Sequence, residues 1–290
     1  MPRGFILSIL WVLLACLGPA AAQPSGPVQS RFFTSSDGVR LHYLEAGPPR
    51  AHTLVLVPGW TMPSWIWAPQ IQAFSLRYHV IAFDPRGQGD SDAPASGYEP
   101  NRRGEDIAEL IARLGPQPVL LVGWSLGVLD SLAYIHAQGD RHVAGLVLVD
   151  NSIGEEPAPV PSRVRPHHGP RLPHEVMMRR FVRGMFHQPQ SESYLDSLTD
   201  ATLRMPEYAA NALLSYPVPR SYWREAVYST GRPVLYVVRP VWEGQAENLA
   251  RHHPAAETAI FPEAGHALFI DAAPRFNALM QDFINRRIWP

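Results

Sequence analysis

Lysine is absent from the 290 residues, so all 25 basic side chains are arginine. Its absence removes Schiff-base catalysis, pyridoxal phosphate anchoring and the phosphate-binding lysine of a P-loop. Cysteine occurs once, as Cys16, which excludes disulfides and zinc-cysteine clusters and leaves Ser, Thr or a carboxylate as the available nucleophiles. There is no basic surplus either: the net charge is -1, which argues against nucleic acid as the main partner. The 30 prolines and 21 glycines follow no repeating period, and charged residues make up only 18% against 46% hydrophobic, so a solenoid, a collagen and wholesale disorder are all excluded. No apolar run reaches the ~20 residues of a membrane span; the longest, Phe5 to Leu17, follows Arg3 and precedes Gly18, Pro19 and Ala20-Ala21-Ala22. This profile predicts a signal peptide over residues 1–22 and export, to the periplasm or the medium. A second reading takes Leu13-Leu14-Ala15-Cys16 as a lipobox that leaves a lipid anchor on Cys16.

Beyond that leader, short runs rich in Val, Leu and Ile alternate with helical patterns: Thr53 to Val57, Val80 to Phe83, Val119 to Val122, Val143 to Val149, Val234 to Val238 and Thr258 to Phe261. Strands without polar alternation are covered on both faces, as in a parallel sheet. Between them Ile107, Leu110, Ile111 and Leu114 recur at helical spacing, as a crossover helix requires. The prediction is an α/β fold, a doubly wound and mostly parallel sheet. From Ile153 to about Arg224 the rhythm stops and Pro and Arg become frequent. Residues 153–224 are therefore expected to form a helical cap inserted into a core made of 23–152 and 225–290.

The strand run from Val119 ends in Gly123-Trp124-Ser125-Leu126-Gly127, a Gly-x-Ser-x-Gly pattern with helical sequence after it. A serine on so tight a strand-to-helix turn is strained, and only the missing side chains at Gly123 and Gly127 make room for it. Ser125 is the expected nucleophile.

With Val57-Pro58-Gly59-Trp60, Phe83-Asp84-Pro85-Arg86-Gly87-Gln88-Gly89-Asp90-Ser91 and Gly265-His266-Ala267-Leu268, the chain from about residue 38 to 290 resembles the α/β-hydrolases, and among them is similar to the non-haem haloperoxidase and esterase group. The resemblance implies a general base on the loop after the last strand, where His266 stands; histidines 79, 136, 142, 252 and 253 lack that context. It implies an oxyanion hole from the backbone N–H groups of Leu126 and Trp60, and Trp60 and Trp124 are expected against the substrate. The acid departs from the family pattern. Relatives place an aspartate just after the strand equivalent to Val234–Val238, where this chain has Trp242. Two substitutes remain open: Asp150, at the end of the neighbouring strand, and Glu243, one position on and with a longer arm. Asp150 is favoured because a strand end holds an acid more rigidly.

Asp84, Arg86, Asp90, Ser91 and Asp130 are read as fixing loops and helices. The histidines 167, 168 and 174 lack metal-ligand spacing and have only Glu175 as a nearby carboxylate, so no metal and no cofactor is expected. The arginines 163, 165, 171, 179, 180 and 183 read as a solvated face. Most of Trp65, Trp67, Met177, Met178, Phe181, Phe186 and Trp223 are expected in the core. An exported serine hydrolase acting on a small to medium apolar ester follows, with acyl transfer or non-catalytic binding on the same fold as alternatives. A serine at the elbow sets the chain apart from epoxide hydrolases and haloalkane dehalogenases, which use an aspartate there.

Overall fold

Eight strands form one sheet because nearly every strand residue from Thr53 onward is apolar and has two faces to bury. In β3 (Thr53–Val57), Val55 and Val57 face one hydrophobic cluster while Leu54 and Leu56 face the other. The computed structural model describes residues 26–159 and 172–290; the expected signal segment, Cys16, His167, His168 and Arg163, Arg165 and Arg171 lie outside them. The remaining strands are β1 (Gln29–Thr34), β2 (Arg40–Ala46), β4 (His79–Asp84), β5 (Val119–Trp124), β6 (Val143–Val149), β7 (Val234–Val238) and β8 (Ala256–Ile260). Their order is β1-β2-β4-β3-β5-β6-β7-β8. The first two ladders are antiparallel and the rest parallel.

The helices are α1 (Ala68–Phe74), α2 (Pro100–Arg113), α3 (Leu126–Gln138), α4 (His174–Gly184), α5 (Glu192–Arg204), α6 (Glu207–Leu213), α7 (Arg220–Ser229), α8 (Glu243–His252), α9 (Leu268–Asp271) and α10 (Ala273–Phe283). Residues of α2, α3, α7 and α8 cover one face of the sheet. Those of α1 and α10 cover the other, joined by Val182 and Leu195 from α4 and α5. The predicted strands and the crossover helix are found within a few residues of their expected limits. The antiparallel β1 and β2 were not anticipated, since exposed positions interrupt their apolar pattern.

Residue 224, the expected end of the cap segment, falls inside α7, whose Tyr222 ring stacks on His136 of α3 at 3.9 Å and whose Tyr222 hydroxyl donates to Asn101 of α2. Trp223, Ala226 and Val227 are buried in the same cluster as α3. The described helices of the expected cap segment before α7 are α4, α5 and α6. Among the described residues no helix is long and apolar enough to cross a membrane.

Candidate active site

The turn joining β5 to α3 carries Ser125 at φ 55° and ψ -120°, a strained conformation for a residue with a Cβ. Close packing enforces it. A Cβ at Gly123 would lie 2.2 Å from the Gly127 carbonyl oxygen, and one at Gly127 would lie 2.3 Å from that of Val57. The helix thus starts against the end of β3, and any side chain at either glycine would push it away. The Ser125 N–H donates to Val149 O at 2.9 Å, and Asn151 Nδ2 donates to Ser125 O at 2.8 Å, which fixes the turn to the end of β6.

His266 reaches this serine from the loop after β8, with Nε2 2.8 Å from Ser125 Oγ. Its Nδ1 lies 2.6 Å from Asp150 Oδ2. Asp150 follows β6 at φ 51°, and its side chain is fully buried. Glu243 is instead the exposed first residue of α8, where a carboxylate favours the helix start. Of the two acids left open by the sequence, the structure brings only Asp150 to the imidazole.

The loop after β3 closes the other side. A Cβ on Gly59 would come within 2.9 Å of Ser125 Cβ, so the loop that leads into Trp60 runs directly against Ser125. Leu126 is the first residue of α3, and its N–H has no acceptor within the helix. Gln88 holds the loop: its Oε1 accepts from the Thr61 N–H at 2.9 Å, and its Nε2 donates to the carbonyls of Gly59 and Met62 at 3.1 Å. The sequence reading placed Gln88 only within a family motif and missed this brace.

Trp60 is half-buried, packs edge-on against Phe181 and donates its indole N–H to Ala210 O at 2.8 Å, linking this loop to the cap. It borders a cleft of about 490 Å3 whose other apolar walls are Leu172, Met177, Met178, Ala210 and Leu214. His174, Glu207 and Asn211 are its polar lining. Trp124 is different from its expected role. It is 1% exposed, donates its indole N–H to His266 O at 2.8 Å and packs against Phe269. Trp124 therefore supports the histidine loop from beneath, because strand alternation turns it, with Leu120 and Val122, to the sheet face packed by α1 and α10.

The histidine loop is also held from the cap. Ala267 N–H donates to Met185 O at 2.9 Å. The Asp271 carboxylate accepts from the N–H groups of Gly265 and His187, at 2.7 and 2.6 Å. Asp84 accepts from the backbone N–H groups of Ser64 and Asp90, and Arg86 pairs with Asp106 and Asp37. Asp130 sits 2.8 Å from the buried Arg103, joining α3 to α2; burial pushes its carboxyl up to about 6 although the Arg103 charge opposes the rise. These groups shape loops and helix contacts and stand apart from the serine. Arg239, just after β7, was not singled out from sequence, yet it donates through its backbone N–H to Asp150 Oδ1 at 2.9 Å and through Nε to Oδ2 at 2.6 Å.

A hydroxyl, an imidazole and a buried carboxylate in line can remove a proton from the hydroxyl and return it to a leaving group. Among the described residues no cluster of His, Cys, Asp or Glu is placed to hold a metal ion.

A model of the alpha/beta hydrolase family matches residues 54–279. The soluble epoxide hydrolase of Corynebacterium sp. (strain C12) is 35% identical over 105 residues, 36% of this chain and 35% of that enzyme's length. The non-haem haloperoxidase of Rhodococcus erythropolis is 31% identical over 201 residues, 68% of each chain. The crystal structure of a protein assigned as an aryl esterase from Burkholderia cenocepacia superimposes with a TM-score of 0.77 at 26% identity, covering 89% of this chain and 98% of that one.

Proposed function

The chain belongs to the alpha/beta hydrolase family, and from that premise we propose that it is an exported serine hydrolase that cleaves small to medium apolar carboxylic esters through an acyl-enzyme on Ser125. The observation that carries this reading is the continuous line from Ser125 Oγ through His266 to Asp150, with contacts of 2.8 and 2.6 Å. In this mechanism His266 Nε2 takes the hydroxyl proton as Oγ attacks the acyl carbonyl. The oxyanion faces the N–H groups of Trp60 and Leu126, each worth about 3–4 kcal/mol in the transition state. Collapse expels the alcohol, which takes the proton from His266, and a water molecule activated by the same imidazole then releases the acid. Asp150 holds the ring with Nδ1 protonated and stabilises its charged form. The apolar walls of the cleft beside Trp60, formed by Leu172, Met177, Met178 and Leu214, suit a compact hydrocarbon group on the ester.

The epoxide hydrolase resemblance does not extend to chemistry in this reading, because Ser125 stands where those enzymes carry an aspartate. Trp242 at the usual acid position is what a non-catalytic binding protein on this fold would rest on. Asp150 at His266 Nδ1 makes an acid there unnecessary.

The test is the intact mass of protein purified from an exporting host, before and after reaction with a fluorophosphonate, together with turnover of p-nitrophenyl acetate, butyrate and hexanoate. One adduct on Ser125 and hydrolysis of the series are expected. A folded protein that takes no label and cleaves none of these esters would refute the reading. The same mass reports the N-terminus: a chain beginning at Gln23 supports removal of residues 1–22, whereas a lipidated Cys16 terminus replaces that with the anchored form.

A further inference from the structure

We propose that Arg239 is a positioning residue of this site, which clamps the Asp150 carboxylate so that its Oδ2 faces His266. The inference rests on the reading of Ser125, His266 and Asp150 as a catalytic unit. A carboxylate with no exposure is costly unless its oxygens are hydrogen-bonded and its charge is paired. Three donors reach Asp150, and two of them come from Arg239: the backbone N–H on Oδ1 and Nε on Oδ2. The third is His266 Nδ1, on the same Oδ2 at 2.6 Å.

Strand pairing brings the two residues together. Val149 is the register partner of Val237, and the Asp150 N–H donates to Val237 O at 2.9 Å, so residue 239 follows beside residue 150. Arg239 also begins the turn in which relatives carry their acid. This chain thus has a cation in the β7 turn paired with an acid on β6.

The guanidinium does more than satisfy lone pairs. The backbone N–H and Nε address different oxygens of one carboxylate, so together they fix its rotation about the Cβ–Cγ bond. An imidazole bonded to a freely rotating carboxylate would lose alignment with Ser125. Nη2 lies 3.5 Å from His266 Nδ1. With Nδ1–H donating to Asp150, both of these nitrogens are donors, so this is close approach of a permanent charge and not a hydrogen bond. Lysine would supply the charge without the planar fork, and glutamine would supply neither the charge nor the same reach.

The experiment compares Arg239→Gln, Arg239→Lys and Arg239→Ala with the wild type, as kcat per fluorophosphonate-titrated Ser125 and KM for p-nitrophenyl butyrate. Counting only titrated serine removes misfolded protein from the measurement. Arg239→Gln is expected to lower kcat about 10- to 100-fold with KM within about two-fold, the scale of a slightly misplaced catalytic group. Arg239→Lys should fall between the two. Because the Arg239 side chain is 33% exposed, guanidinium ion can reach the vacated site. Millimolar guanidinium chloride should therefore raise kcat of Arg239→Ala, whereas equal sodium chloride or urea should not. Unchanged kcat per titrated serine in Arg239→Gln and Arg239→Lys, beside an active wild type, would overturn this inference alone. A wild type that neither labels nor turns over would overturn it together with the hydrolase reading.

Discussion

Ser125→Ala should lower kcat by about 10^5- to 10^6-fold and abolish fluorophosphonate labelling. The hydroxyl is the only group at the elbow that can form the acyl bond, and nothing beside it can take its place. Neither His266 nor Asp150 loses its other contacts, so the remaining rate should come from the oxyanion donors and substrate binding, about 10^3-fold over water. Stability should change little. The side chain is half-buried at the surface of the turn, and alanine occupies the same positive-φ conformation, so a shift within about 1 kcal/mol is expected. Active-site titration combined with a thermal melt checks both parts. A variant that melts like the wild type and still turns over at more than a hundredth of its rate would show that the nucleophile lies elsewhere.

The second large effect separates the two acids. Asp150→Asn should lower kcat about 10^4-fold, because an amide NH2 facing Nδ1 forces the ring into the tautomer with its proton on Nε2, where it cannot accept from Ser125. If the amide turns the other way, its NH2 meets the Arg239 N–H on the former Oδ1 side. Either orientation sets donor against donor in a buried place and should cost about 1–3 kcal/mol of stability. Glu243→Gln should leave kcat within about two-fold, since Glu243 is exposed at the start of α8 and its charge serves that helix end. Steady-state kinetics and urea unfolding of both variants test this. A larger kcat loss in Glu243→Gln than in Asp150→Asn would reverse the assignment.

Much of this arrangement was legible in the residues because it depends on local rules. Gly123 and Gly127 announce the elbow through the close approach they permit. Strands such as Thr53–Val57 and Val143–Val149 announce themselves because both of their faces are buried. β1, the edge strand, and β2 beside it stayed hidden because exposed residues such as Arg31 and Arg40 break their apolar runs. The residues favoured Asp150 over Glu243 through the rigidity of a strand end but left both open, since the contact itself turns on the register between β6 and β7 and on which of two turns points at His266. Arg239 was invisible for the same reason: its importance comes from standing beside residue 150 in space, 89 positions away along the chain. Trp124 was misplaced because a motif reports proximity to the nucleophile but not the side of the sheet on which a ring is packed.

The bond from Ala267 to Met185, and the Asp271 carboxylate shared by Gly265 and His187, splice the segment after α4 onto the loop that carries His266. Residues 185–187 and 265–271 thus behave as one stitched unit although 84 positions of chain separate His187 from Asp271. An insertion or deletion in the turn after α4 would be transmitted to the His266 loop through three backbone donors, leaving Trp124 and Asp150 as the anchors on the sheet side.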